Sequence, residues 1–336
     1  MRKIFNILIA TVLALISAFT LVACVDNGDG GNTKKGLSYK KIDDVYTIYK
    51  YVGEEGVDTL DIGAILSEAG ITDVTIKKGA FDGNATLKTV IVPQTVTEIQ
   101  AGAFRNMQSL ENLVVPFVGR TANADAYYGE TAKAADKAVD SARTIAHFFG
   151  TDDYDMGKSV TINYGDGSTT CYMPSTLKTV TVKAKDGYKI PMHAFNGANN
   201  LKSVVIENGV VAIGESAFSG ATELKTIDLP KSVVTVYKDA FNGCTKLAAV
   251  TFSAESTDGS IVVKENAFKG CSKVSYFGTK VETLPEGNVI DLKKIKELGA
   301  KALDFGNEYR TYTVQNQQTG EGIVIDDNAF GETKKA

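Results

Sequence analysis

Few side chains in this chain could do chemistry. It holds two histidines, His147 and His193, and four cysteines, Cys24, Cys171, Cys244 and Cys271. Cys171 with either histidine would make the thiol–imidazole pair of a hydrolase, since imidazole can take the thiol proton and leave a thiolate nucleophile. Acids gather at Asp152, Asp153 and Asp155 in TDDYDMG, and Asp166 follows in GDG. Paired carboxylates can hold calcium or exchange protons. No base or nucleophile accompanies them, so solvated loop acids are the simpler expectation. A Walker loop, an HExxH helix and a nucleophile elbow are all missing. No cofactor, metal site or catalytic set is therefore expected.

Cys24 stands apart from the other cysteines. Arg2 and Lys3 open the chain, Ile4 to Thr20 is almost unbroken apolar sequence, and Leu21-Val22-Ala23-Cys24 follows. A charged start, an apolar run short for a membrane span and small residues at its end describe a secretory signal peptide, residues 1–23. The tetrapeptide resembles the bacterial lipobox, Leu-x-(Ala/Gly)-Cys. That resemblance implies cleavage before Cys24 and acylation of its thiol and new amine. Each buried methylene of such a chain adds ~0.8 kcal/mol of membrane affinity. Residues 24–36, rich in Gly, Asn and Asp, read as a flexible tether. An extracytoplasmic, lipid-anchored location follows from this reading. The leader carries Arg2 and Lys3 and no acid, so its removal takes the formal charge from -4 to -6. An acidic chain without clustered cations is a poor nucleic-acid partner. The three remaining cysteines are odd in number and show no CxxC spacing, which speaks against a disulfide framework or a zinc site.

What positions the other residues is an internal period. Ala-Phe recurs at Phe81, Phe104, Phe195, Phe218, Phe241, Phe268 and Phe330, with 23 residues between several neighbours and 27 between Phe241 and Phe268. Six residues after Phe stands Leu87, Leu110, Leu201, Leu224 or Leu247, and the unit reads AFxGxxxLKxVxVPxxVxxIxxxAF. LxxVxV is a short strand with alternate residues turned inward. One coil cannot bury its own apolar face, but stacked coils bury one another. Gly two residues after Phe fits a turn with positive φ. Pro93, Pro116 and Pro230 close strands where no ladder donor is wanted. Cys171 falls where a degenerate copy would place Phe, so a buried structural thiol is expected there. Cys244 and Cys271 share one slot in neighbouring coils and should stack.

These motifs, over residues 57–116 and 171–277, resemble BspA-type (treponemal-type) leucine-rich repeats. The resemblance implies an α/β repeat fold, mostly β: a solenoid with a parallel sheet. It also implies a bacterial surface lipoprotein that binds host matrix proteins, other bacteria or glycans. Because the repeats are scaffold, no binding residue carries over. Around the coils at 80–116 and 171–277 the sequence predicts an N-terminal β cap with the first coil (37–79). It predicts an insertion at 117–170 with an amphipathic helix from Thr131 to Phe149, and a second at 278–322 with a helix from Leu292 to Leu303. A terminal repeat fragment (323–336) completes the map.

One surface feature is derivable. The first outward position of LxxVxV reads Lys88, Glu111, Lys178, Lys202, Lys225, and the next reads Thr89, Asn112, Thr179, Ser203, Thr226. A lysine row beside a hydroxyl row protects a sheet against aggregation. It could also dock an acidic ligand, either a sulfated or sialylated glycan or an acidic protein patch. Three function classes stand at this point: an adhesin-like binding protein, an envelope-organising structural protein, and an enzyme with its site in the 117–170 insertion.

Overall fold

Repetition every 23 residues brings like side chains side by side on successive coils, and hydrogen bonds between coils then run in rows. The structure, a computed structural model, describes residues 25–26, 32–122, 141–164, 167–316 and 322–336. In chain order it contains β1 (Val25–Asp26), β2 (Asn32–Lys34), β3 (Leu37–Ile42), β4 (Val45–Tyr51), β5 (Thr59–Asp61), α1 (Ile62–Glu68), β6 (Val74–Ile76), β7 (Thr89–Ile91), β8 (Val96–Ile99), β9 (Asn112–Val115), β10 (Gly157–Tyr164) and β11 (Gly167–Pro174). There follow β12 (Thr179–Val182), β13 (Tyr188–Ile190), β14 (Ser203–Ile206), β15 (Val210–Ile213), β16 (Thr226–Leu229), β17 (Thr235–Val236), β18 (Ala249–Phe252) and β19 (Ile261–Val263). The last are β20 (Tyr276–Thr279), β21 (Val289–Asp291), β22 (Ile295–Leu298), β23 (Thr311–Gln315), β24 (Val324–Ile325) and β25 (Lys334–Lys335).

The LxxVxV strands form one row, parallel in the sheets β14-β12-β9-β7-β5 and β16-β18-β20-β21-β23-β25. The VxxI strands form a second row. It runs through β4, β6 and β8 at one end and β13-β15-β17-β19-β22-β24 at the other. Leu, Val and Ile from both rows meet in one interior, where Leu87, Val90, Leu113, Val180, Leu224 and Val250 are fully buried. A third row comes from the Ala-Phe turns. Phe195 N donates to Ala217 O (2.6 Å), Phe218 N to Ala240 O (2.7 Å), Phe241 N to Ala267 O (2.7 Å) and Phe268 N to Ala302 O (3.0 Å). The rings stack above these bonds. Phe195, Phe218, Phe241 and Phe268 have centroids 4.8 to 4.9 Å apart and planes within 9° of parallel. Gly220 (φ 72°) and Gly270 (φ 71°) follow this turn, where an added β-carbon would lie 3.8 and 3.7 Å from Cα of the matching glycine of the coil before. A β-carbon there would strain the left-handed backbone.

At the N-terminal end β3 and β4 make an antiparallel hairpin, and β4 pairs in parallel with β6. Tyr51 on β4 heads the aromatic column, 5.7 Å from Phe81, which lies 5.0 Å from Phe104. The tether expected at 24–36 is partly paired: β1 and β2 add antiparallel strands beside β3. Cys24, the leader and residues 27–31 lie outside the described residues.

Both expected helices need correction. Residues 131–140 of the first lie outside the described residues, and 141–149 form two 3-10 turns, Ser141–Arg143 and Ile145–Phe148. The second turn takes the place of an Ala-Phe turn, since Phe104 N donates to Phe148 O (2.9 Å) and Ile145 N to Ala194 O (2.8 Å). Leu292 to Leu303 is not a helix. It contributes strand β22, paired with β19 and β24, and a turn in which Leu303 stands where Phe would be. Residues 278–316 therefore continue the array. The apolar i, i+3 spacing of VxxI coincides with helical spacing, which is why the two look alike in sequence.

The 117–170 insertion does not break the array either. β9 pairs directly with β12 along four residues. The inserted chain instead adds the antiparallel hairpin β10–β11, whose Val160, Ile162, Cys171 and Met173 are buried. The one lapse in the first row falls between β14 and β16, which belong to separate sheets. Glu207, Ser253 and Lys280 each donate their N–H back to the preceding coil. Pro230 at the same position has none to give, but Pro93 and Pro116 occupy it in coils whose strands stay paired, so proline alone does not cause the lapse.

Candidate functional site

Two places could act on other molecules: a small cavity at the insertion and the outward face of the first row. The cavity, about 70 Å³, is lined by Lys78, Gly102, Arg105, His147, Asp152 and Cys171 among others. The structure thus does bring together the three residues that an enzyme reading would need. Their chemistry does not suit that role. Burial pushes the Cys171 thiol up to about 11, so it holds its proton at neutral pH. His147 is buried, with Nε2 3.1 Å from the carbonyl oxygen of Ile99, an acceptor only, so that nitrogen carries the proton. The cavity is well below the roughly 300–1,000 Å³ of pockets that bury a small-molecule ligand. Cys171 lies on β11 opposite Val160, within the hairpin and not at an Ala-Phe turn. Asp153 and Asp155 are exposed, and Asp166 lies outside the described residues. Among the described residues no group of three or more His, Cys, Asp or Glu is placed to hold a metal ion.

Cys244 and Cys271 are fully buried free thiols that serve the stack. Cys244 Sγ donates to Phe218 O and Cys271 Sγ to Phe241 O, each 3.1 Å away on the previous coil. Burial and the neighbouring Cys244 push the Cys271 thiol well up.

His193 occupies the left-handed position (φ 58°) two residues before Phe195, the place held by Ser216, Asp239 and Asn266 in later coils. Its Nδ1 is 3.3 Å from Asn196 Nδ2, and burial lowers the imidazole to about 4. The unfolded value is about 6.5. Between pH 6.5 and 4 the unfolded chain binds a proton that the folded chain refuses. Stability therefore falls on acidification by roughly 1.4 kcal/mol per pH unit, to a limit of about 3 kcal/mol. His193→Asn keeps a residue tolerant of positive φ and removes this titration. Urea midpoints at pH 7 and pH 4.5 should differ less in the variant than in the wild type, and equal differences would contradict the assignment.

On the outward face of the first row, Lys88, Lys178, Lys202 and Lys225 are all exposed, with Thr226 exposed and Thr89, Thr179 and Ser203 half-buried beside them. The lysines are not equivalent. Lys88 pairs with Asp58 at 3.4 Å and Lys178 with Glu111 at 2.9 Å, so the first half of the column alternates in sign. Among the described residues Lys202 and Lys225 have no acid within 4.0 Å. Glu223, one coil along, pairs with Lys246 at 2.6 Å. Lys246 holds the Glu223 carboxyl below the usual carboxylate range, and Lys158 and Lys202 add to this. Lys158 comes from the inserted hairpin, its Nζ donating to Asn199 O at 3.3 Å. Sequence reasoning missed both Lys158 and Lys246. It also missed the aliphatic column Ile91, Val114 and Val205 on the same face, although the middle position of VxV was available to read.

The folds of several bacterial proteins are similar. A leucine-rich repeat protein of T. pallidum (TpLRR) matches with 18% identity over 81% of this chain and 86% of its own, at a TM-score of 0.35. The pneumococcal vaccine antigen PcpA matches with 15% identity over 92% of this chain and 100% of its own, at 0.28. A leucine-rich cell surface protein of Faecalibacterium prausnitzii matches with 17% identity over 75% and 95%, at 0.25. No curated protein matches in sequence. The family model described as BspA type leucine rich repeat region matches six copies over residues 70–134 and 168–300, more than half of the chain. With its 23-residue unit, its three bonded rows and that match, the chain belongs to the BspA-type leucine-rich repeat family.

Proposed function

We propose that this chain is a cell-surface protein, lipid-anchored through Cys24, that binds host or bacterial surface macromolecules adhesin-fashion through the outward face of its first strand row. The carrying observation is that face itself. Among the described residues the row has eleven strands, its outward positions carry the lysine and hydroxyl columns from β7 to β16, and the solenoid interior is filled by apolar side chains. Repeat solenoids use such extended surfaces for binding. The lipobox-like Leu21-Val22-Ala23-Cys24 supports the anchor. Binding is favoured over catalysis because the one cavity holding thiol, imidazole and carboxylate is too small and keeps its thiol protonated.

Cys24→Ser should abolish incorporation of labelled fatty acid, and the wild-type mature N-terminus should be an acylated Cys24 by mass spectrometry. Unchanged incorporation in the variant would refute the anchor. For the binding role, the detergent-purified chain is screened against host matrix proteins, glycans and bacterial envelope components. Retention by envelope components alone favours the envelope-organising role, and retention by none of the three overturns the binding reading.

A further inference from the structure

We infer that the corner where the inserted hairpin meets the coils after β12, formed by Lys158, Lys202, Lys225 and Lys246 around Glu223, is a binding site for a linear sulfated polysaccharide. This rests on the surface-binding reading above and names the ligand class for that face.

Lys246, Lys158 and Lys202 act on Glu223 there, and Lys225 follows two residues after it, on a chain that is acidic overall. Lys202 and Lys225 stand on successive coils, whose rise is measured by the 4.8 Å between Phe195 and Phe218. Like charges on neighbouring coils repel each other. Elsewhere in the same column Asp58 and Glu111 pair directly with a lysine, whereas here Glu223 pairs with Lys246 and acts on Lys202 only at longer range. The hairpin adds a further lysine where the repeat alone would have none. Lys158 Nζ reaches Asn199 O, so its ammonium is fixed at the rim of the patch. A row of cations one coil apart complements a polymer with an anionic group on each successive sugar unit. Such a ligand gains from every coil it crosses and releases counterions as it binds. A folded protein partner would be anchored by apolar side chains such as Val205, exposed on β14, and not by the lysine and hydroxyl positions that make up this corner. The positions beside the lysines are Ser203 and Thr226, hydroxyl donors suited to sulfate oxygens.

The detergent-purified full chain is titrated with heparin, with desulfated heparin and with polyglutamate, at two salt concentrations. The wild type should bind heparin, more weakly as salt rises, with desulfated heparin and polyglutamate at least tenfold weaker. Replacing Lys158, Lys202, Lys225 and Lys246 together by Gln should weaken heparin binding at least tenfold, with the thermal transition retained. Glu223→Gln should tighten it about threefold. The control K231Q/K238Q, lysines paired with Glu255 and Glu265 outside the lysine column, should change it less than twofold. Absence of heparin binding, equal binding of polyglutamate, or a fourfold-substituted chain that is folded and binds as the wild type does would each overturn the site. A chain that binds no heparin but retains another macromolecule in the surface screen overturns this inference alone. A chain that retains none overturns the reading beneath it as well.

Discussion

Phe241→Ala should destabilise the solenoid by about 3 to 5 kcal/mol, the cost of emptying a full-sized aromatic site in a packed core. Phe241 is fully buried, with Phe218 at 4.8 Å on one side and Phe268 at 4.9 Å on the other. Offset stacking adds about 0.5 to 1.5 kcal/mol per aromatic pair beyond burial, and the substitution removes two such contacts at once. Each coil contacts mainly its neighbours, so the damage should appear first as local opening of the coils around β16 to β20. Urea unfolding followed by circular dichroism checks the size of the loss. A loss below 1 kcal/mol would mean that the rings fill space without holding the coils together. Phe330→Ala, at the last turn and 7% exposed, should cost clearly less.

Lys294→Met should cost about 2 to 4 kcal/mol and expose the loop before β19 to proteases, although the residue resembles any surface lysine in the sequence. Its side chain is 4% exposed. The ammonium donates to Ala254 O (3.0 Å), Ser256 O (2.6 Å) and Asp258 Oδ1 (2.7 Å). These acceptors belong to the segment that lengthens the Phe241–Phe268 interval to 27 residues. One lysine of the following coil thus supplies the donors that a longer loop would otherwise take from water. Without it, two carbonyls and a carboxylate lose a charged partner in a partly closed site. Limited proteolysis with cleavage mapped to 253–260, beside a urea titration, checks both parts. A variant as resistant and as stable as the wild type would show that the loop holds itself.

The array was legible because its signal is redundant. Ala-Phe, LxxVxV and the glycine of the turn recur in a fixed phase, so the parallel rows and the aromatic column follow from spacing alone. Legibility failed where a coil departs from the consensus. Leu292, Ile295 and Leu298 satisfy both a helix and the VxxI segment of a coil, and Leu303 hides the turn by replacing Phe. The hairpin β10–β11 carried a period-2 signal in Val160 and Ile162 and again in Cys171 and Met173, yet Cys171 also fitted the repeat template and was assigned to it. α1 was not visible, since seven residues capped by Asp61 leave little periodicity to detect.

The candidate surface was half legible. Its lysine column can be read from sequence, but its pairing requires knowing which coil lies beside which. Asp58 precedes the first complete repeat and still neutralises Lys88, and Glu111 neutralises Lys178 across the 117–170 insertion. The same two facts single out Lys202 and Lys225. Lys158 could not have been placed without the hairpin, which returns it to the coil corner 41 residues from Asn199.

Amide hydrogen exchange at Phe195, Phe218, Phe241 and Phe268 tests the stacked coils most directly. Each of these turn amides donates to a carbonyl of the next coil and lies beneath a closed aromatic column. All four should be protected as strongly as the strand amides of β16 and β18. Exchange at the rate of exposed loop amides in these turns, with the strands protected, would show that the coils do not share a bonded, aromatic-lined interior.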